Sequence, residues 1–445
     1  MSPLGDFKIQ DMAWLDKLKL KKGLVLSLTE AGFVAPKEIQ QKTLARIIGG
    51  QDVIGVGPEG CGKTTTYILA ALNKFSYTPE GVPKVLILVP DKEKVDEVIE
   101  KINFLNKNKS LSIVGLFAAP GIEAQMDAMA DGADIVVATP DRARAIYLKL
   151  GLNMNKMELI VVDDAEHIVK QGLQLPVAEL ANSAPKCQHL VFTEVIHERL
   201  NKMIAPFMKQ PSIVEVDEIG EPLFDTHPQL LYLVPNFGTK VNLLNLFMQD
   251  EDLFTKLVLF VNTRPTAEKL YKSLDSRKTS VAFLNPWFFE MEGFESIYDF
   301  KSADTRVLIV VNDAEQKLDL DDIPFLIHFE LPVEKETYIN RMINDSPEVE
   351  DETMALTFAT DLELTAVKKI EQATGQKIPL ADLPENLIIE KERKSGDAAE
   401  KKAAKAKADE DAPGAAFHEK KASNAKTYNY RAGLKAKMSN KRKHS

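Results

Sequence analysis

Cysteine is nearly absent. Among 445 residues there are two, Cys61 and Cys187. That excludes a disulfide framework and points to a reducing compartment such as the cytoplasm. No apolar run approaches the length that spans a bilayer, and residues 1–10 carry no basic-then-apolar signal pattern, so no membrane role is expected. The C-terminal stretch lacks acidic residues while it is rich in basic ones. After Glu419 there are nine Lys or Arg and no Asp or Glu, while residues 1–419 hold 47 basic against 66 acidic residues, a formal −19 within the net −10. An acidic body with a basic tail locates attraction to a polyanion in the tail. The length exceeds what one core serves and implies two or three domains, and 44% hydrophobic with 27% charged residues is ordinary for a globular protein.

The most specific stretch is Val53-Ile54-Gly55-Val56, a short apolar run, followed by Gly57-Pro58-Glu59-Gly60-Cys61-Gly62-Lys63-Thr64 and then by Thr65 and an apolar helical pattern. Strand, glycine-rich loop, then Gly-Lys-Thr and a helix is the phosphate-binding loop signature. Glycines let backbone N–H groups turn inward around phosphate oxygens, and the helix start adds unpaired N–H groups. Lys63 supplies a point charge for the β- and γ-phosphates of ATP. Thr64 offers a hydroxyl to Mg²⁺, and Cys61 reads as a small loop filler.

Upstream, Gly32-Phe33-Val34-Ala35-Pro36 leads into a helix carrying Gln40. Its amide matches the donor and acceptor of an adenine edge; a solvated glutamine on a helix face is the alternative. Downstream, Val85–Val89, Ile135–Ala138, Leu159–Val162 and Leu190–Phe192 are continuous apolar runs separated by helical patterns, as buried parallel strands are. Ligands bind beyond the carboxyl ends of such strands. The residues there are Pro90-Asp91, Thr139-Pro140-Asp141-Arg142, Asp163-Asp164-Ala165-Glu166 and Thr193-Glu194. Asp163 suits Mg²⁺ beside the phosphate loop. Asp164 either orients an attacking water or is an acidic residue at a helix start.

Residues 213–226 read as a linker between a first domain, 1–212, and a second α/β unit, 227–390, whose strands include Leu257–Val261, Val281–Phe283, Val307–Val311 and Phe325–Phe329. The second unit lacks a phosphate loop of its own. Residues 391–445 are too poor in apolar side chains to fold alone. The stretch with Tyr428, Tyr430, Lys441, Arg442 and Lys443 suits flexible contact with single-stranded RNA, against the alternative of a solubilising tail.

From about Leu15 to about Pro347 the chain resembles the DEAD-box RNA helicases. Gly32-Phe33, Pro36 and Ile39-Gln40 are similar to the family's adenine-reading Q motif, although Leu15 stands at its upstream aromatic position, beside Trp14. Gly57–Thr64 matches its first motif. Pro90–Val95 stands where the family has Pro-Thr-Arg-Glu-Leu-Ala. Thr139-Pro140-Asp141-Arg142 is similar to Thr-Pro-Gly-Arg, Asp163–Glu166 occupies the Asp-Glu-Ala-Asp position, and Phe260–Arg264 looks like the first motif of the second domain. The resemblance implies two tandem RecA-like domains, ATP between them, and RNA across both, with Thr139, Arg142, Thr263 and Arg264 on the RNA and Asp319 on the ribose.

The sequence also departs from the family. The catalytic Glu is Asp164, Ser-Ala-Thr has become Thr193-Glu194-Val195, and Gln316 and neighbours replace the Thr-Asp-x-x-x-Arg-Gly stretch before Asp319. In the closing arginine motif, Asn344 and Pro347 replace two arginines. An arginine finger is worth on the order of 10³–10⁵ in rate in related NTPases. The sequence therefore expects an RNA-stimulated ATPase or helicase with weakened hydrolysis, or else a non-hydrolysing nucleotide-gated RNA scaffold. A P-loop kinase would leave the second unit and the tail unexplained.

Overall fold

The computed structural model describes residues 20–33, 35–74, 81–108, 110–216, 225–287, 292–312, 318–344 and 353–391. Residues up to Ile389 form one compact unit that carries two sheets. The tail residues Lys441, Arg442 and Lys443, the Q-motif positions Trp14 and Leu15, Gln316 and Pro347 lie outside the described residues.

The first sheet is built from β1 (Val53–Val56), β2 (Val85–Leu88), β3 (Ile113–Leu116), β4 (Ile135–Ala138), β5 (Leu159–Val162), β6 (Gln188–Thr193) and β7 (Ser212–Glu215), in the order β3-β4-β2-β5-β6-β1-β7. Every pairing is parallel. The continuous apolar runs have the cause expected of them. Ile87 of β2 packs with Val53, Leu159 and Phe192 on one face, while Leu86 and Leu88 pack with Ile54, Val136 and Ile160 on the other. Both faces are covered by helices, so alternation of polar and apolar residues has no role.

The second sheet repeats the plan with β8 (Gln229–Leu233), β9 (Leu257–Val261), β10 (Val281–Leu284), β11 (Gly293–Phe294), β12 (Val307–Val311), β13 (Phe325–His328) and β14 (Met354–Ala359), ordered β11-β10-β12-β9-β13-β14-β8 and again wholly parallel. Val258 and Phe260 face one core and Leu257, Leu259 and Val261 the other. The two tandem parallel α/β domains that the resemblance implied are present.

One boundary needs correction. Residues 213–215, read as the start of a linker, form β7 with Ser212 and pair in parallel with β1 along Val53–Val56. Their acidic neighbours masked the strand, which sits at the sheet edge with only Val214 buried, so it never needed an apolar run. The sheet strands β1, β2, β4, β5 and β6 all end toward one rim, and the loops at that rim carry the chemistry.

Candidate nucleotide site

β1 ends at Val56 and the chain turns through Gly57–Gly62 into helix Lys63–Lys74. Glycine is required here by space and by conformation. A Cβ on Gly57 would stand 2.8 Å from Cys61 Sγ. Gly62 has φ +104°, and a Cβ there would meet Gln40 Nε2 at 2.9 Å. Gly60 takes φ +81°, a left-handed conformation that costs glycine nothing. Lys63 is buried, and its ammonium donates to the carbonyls of Gly57 at 2.6 Å and Pro58 at 3.1 Å. The loop is thus folded around its own lysine, with the charge aimed back at the cradle.

The floor is set by β5. Thr64 Oγ1 lies 3.4 Å from Asp163 Oδ2, and Tyr67, one helical turn after Lys63, donates its hydroxyl to the same oxygen at 2.8 Å. Asp163 is fully buried. Burial, then the charge of Asp164, pushes its carboxyl well above the ordinary range, against Lys94, Tyr67 and Lys63. Burial beside Asp163 likewise holds the Tyr67 phenol protonated and above its usual value. Asp164 adopts φ +47°, and its carboxylate pairs with Lys94 Nζ at 3.4 Å. Glu166, the last member of the quartet, reaches sideways. It accepts from the Thr193 hydroxyl at 2.6 Å and from Glu194 N at 3.2 Å, and contacts His167 Nδ1 at 3.1 Å. Burial alone would raise its pKa, but His167 and Thr193 hold it down at about 2. This clamp ties the β5 loop to the β6 loop.

Above this floor opens a cavity of about 680 Å³. Phe33, Gln40, Glu59, Gly60, Gly62 and Lys63 line it with Thr64, Thr65 and Asp164. Most of the expected ATP residues therefore converge. Gly57, Pro58 and Cys61 serve from behind, through carbonyls and packing. Gln40 is buried, and its Oε1 accepts the Lys37 backbone N–H at 3.0 Å, which starts its own helix; Nε2 leans on the loop. Lys37 Nζ donates to the Gly60 carbonyl.

The other expected residues lie away from the cavity. Asp319 pairs with Lys301 at 3.2 Å and does not line the cavity. Of the residues assigned to RNA, Thr139 is buried with a hydroxyl that lacks a partner, and Arg142 donates to the Ala119 carbonyl at 2.7 Å. Thr263 caps its helix through Thr266 N at 3.3 Å, and Arg264 sits over the Trp287 ring at 5.4 Å. Lys94, Tyr67, Thr193 and Lys369 were not singled out by role. Lys94 had a readable signal, because it replaces an apolar residue of the family stretch. Lys369 had none, since its helix, Leu364–Thr374, reaches the cavity only through the fold.

Hard oxygen donors at the floor, a hydroxyl and a carboxylate, suit Mg²⁺. Among the described residues no three His, Cys, Asp or Glu side chains converge as a cage, so the ion would need nucleotide oxygens as well. Among the described residues, no helix is long and apolar enough to cross a membrane.

Residues 37–203, which contain this loop, floor and clamp, match the DEAD/DEAH box helicase family. This segment is similar to the DEAD/DEAH box helicases. Its relatives include an ATP-dependent RNA helicase DeaD of Buchnera aphidicola from Schizaphis graminum, 27% identical over 84% of this chain and 62% of the relative. Another is the RNA helicase CrhR of Synechocystis, 24% identical over 82% of this chain and 74% of the relative. The chain spans about three fifths of the length of the DeaD relatives it matches. Similar solved structures include a DEAD box protein of Methanococcus jannaschii, with TM-score 0.46, 19% identity and coverage of 82% of this chain and 98% of that one. The yeast splicing factor Prp28 gives TM-score 0.47, 22% identity, and 80% and 86% coverage. Asp164 is paired to Lys94, and the second lobe reaches the cavity through Lys369, whose ammonium is 3.8 Å from Glu59.

Proposed function

We propose that the first lobe binds ATP with Mg²⁺ and that nucleotide state governs RNA binding, with slow hydrolysis in an RNA helicase-type cycle. The observation that carries the reading is the complete loop, with Lys63 buried behind the cradle and Thr64 beside Asp163. When bound, Mg²⁺ would neutralise phosphate charge. Lys63 would exchange its loop carbonyls for phosphate oxygens. Gln40 and Phe33 would take the base, and Asp163 the metal side of the phosphates. That the relatives are named as RNA helicases supports RNA as the polymer.

Slow hydrolysis rests on the second lobe. Arg341, from the closing arginine motif, stacks on Phe260 at 3.9 Å and donates to Asn312 Oδ1 at 2.7 Å, inside its own lobe. Burial lowers its pKa to about 10. Asn344 donates its backbone N–H to Asp225 O at 3.0 Å. Neither lines the cavity. This favours, as a second reading, a non-hydrolysing ATP-gated RNA clamp. Steady-state ATPase with and without RNA, beside equilibrium nucleotide binding, tests both: binding with RNA-stimulated turnover supports the first, binding without turnover the second, and no binding rejects them.

A further inference from the structure

Lys94 lies in the first turn of helix Lys92–Leu105, capped by Asp91, whose Oδ1 accepts Lys94 N at 2.8 Å. A lysine there opposes the positive end of the helix dipole. It is held in place by acids. Its ammonium stands 3.2 Å from Glu97 Oε2, one turn on, and 3.4 Å from Asp164 Oδ2, seventy residues away on another strand's loop. Lys94 and Asp164 are only 21% and 22% exposed, so water screens the pair weakly. Both line the cavity with Lys63 and Thr64. Burial pulls the Lys94 ammonium toward neutrality, but Asp164, then Asp163 and Glu97, hold it charged.

We propose that Lys94 is a tethered cation of the nucleotide site, which takes over part of the charge neutralisation a divalent ion supplies, so that the first lobe binds a nucleoside triphosphate without magnesium. The inference rests on the ATP reading above. Asp163 and Asp164 side by side would repel an incoming polyphosphate. In a loop served by Lys63 alone, a divalent cation must offset that repulsion. Here a second ammonium is fixed within ion-pair distance of Asp164 as well as Glu97, and it lines the same cavity. A unit charge at contact range in a half-buried site is worth a few kcal/mol at most, enough for an order of magnitude in affinity. A lysine paired only with Glu97 would be a helix-surface pair; the contact with Asp164 separates the two cases.

The test is titration of a fluorescent ATP analogue into the full chain, in magnesium and in EDTA. Wild type should lose less than about threefold in EDTA, whereas Lys94→Met should lose about tenfold in EDTA and little in magnesium. Lys94→Arg should behave as wild type. A wild-type chain that binds in magnesium but loses tenfold or more in EDTA overturns this inference alone, and needs no variant. Equal EDTA affinities of wild type and a folded Lys94→Met also overturn it. Absence of binding in both conditions overturns the nucleotide reading beneath it.

Discussion

Each lobe carries a seven-stranded parallel sheet, and each places a buried lysine near the start of the helix after its first strand. Lys63 follows β1 and donates to loop carbonyls; Lys240 follows β8 and donates to Phe329 O at 2.9 Å and to the Glu363 carboxylate at 2.6 Å. The partners make the difference. Carbonyls carry no net charge, so the Lys63 charge remains available to an anion. Lys240 does not line the nucleotide cavity, and its carboxylate partner Glu363 accepts Thr360 N at 2.8 Å. The linking segments differ in the same sense. Between β8 and its helix there is only Val234-Pro235-Asn236, and Asn236 accepts Thr239 N at 2.9 Å, so one of the orphan N–H groups is used internally. One scaffold thus carries a glycine-rich loop at the helix start in the first lobe and a short capped turn in the second.

Removing the carboxylate should sharpen this contrast most. Glu363→Gln leaves Lys240 buried without its charge partner and should destabilise the chain by about 3–5 kcal/mol in denaturant unfolding. Nucleotide affinity per folded molecule should stay unchanged. Lys63→Ala should do the reverse: affinity for ATP falls by about 2–5 kcal/mol, thirty-fold or more, while the unfolding midpoint moves little. Retained affinity would erase the distinction between the lobes.

Gly55→Ala probes the packing beneath the loop. The added Cβ would stand 2.7 Å from the Phe192 ring, and overpacking of this kind costs about 1–3 kcal/mol. A thermal scan checks it, and a neutral result would mean that Phe192 yields.

The smallest effect is a pH dependence in the second lobe. His328 is fully buried between Phe260, 5.0 Å away, and Tyr338, 4.3 Å away, with no partner for either ring nitrogen. Burial, then Arg341, depresses its pKa well below the usual value. The unfolded chain takes up a proton there below about pH 6.5, and the folded one does not. Stability from this group is therefore complete above that pH and lost as pH falls, by at most about 1.4 kcal/mol per unit. His328→Phe keeps the stacking and should flatten the acid limb between pH 6.5 and 5 relative to wild type. Parallel curves would mean that the histidine does not titrate on unfolding.

Much of the architecture was legible because parallel strands buried on both faces must be apolar throughout, as Leu159–Val162 and Val307–Val311 are. Edge strands escaped that rule: β7 and the two-residue β11 bury little. The loop was legible because phosphate cradles need glycine at fixed spacing. Tyr67 and the Glu166–Thr193 clamp were not, since nothing local distinguishes a tyrosine aimed at Asp163 from one in the core.

By itself the sequence determined the class of sheet, the number of lobes and the phosphate loop, because each follows from local periodicity or local backbone demand. Only the tertiary structure decided that Lys94 meets Asp164, that Glu363 closes the second lysine, and that Asp319 stays out of the cavity. Those are contacts between residues far apart in the chain, and pairing of that kind depends on where the strands end in space rather than on what precedes them in sequence.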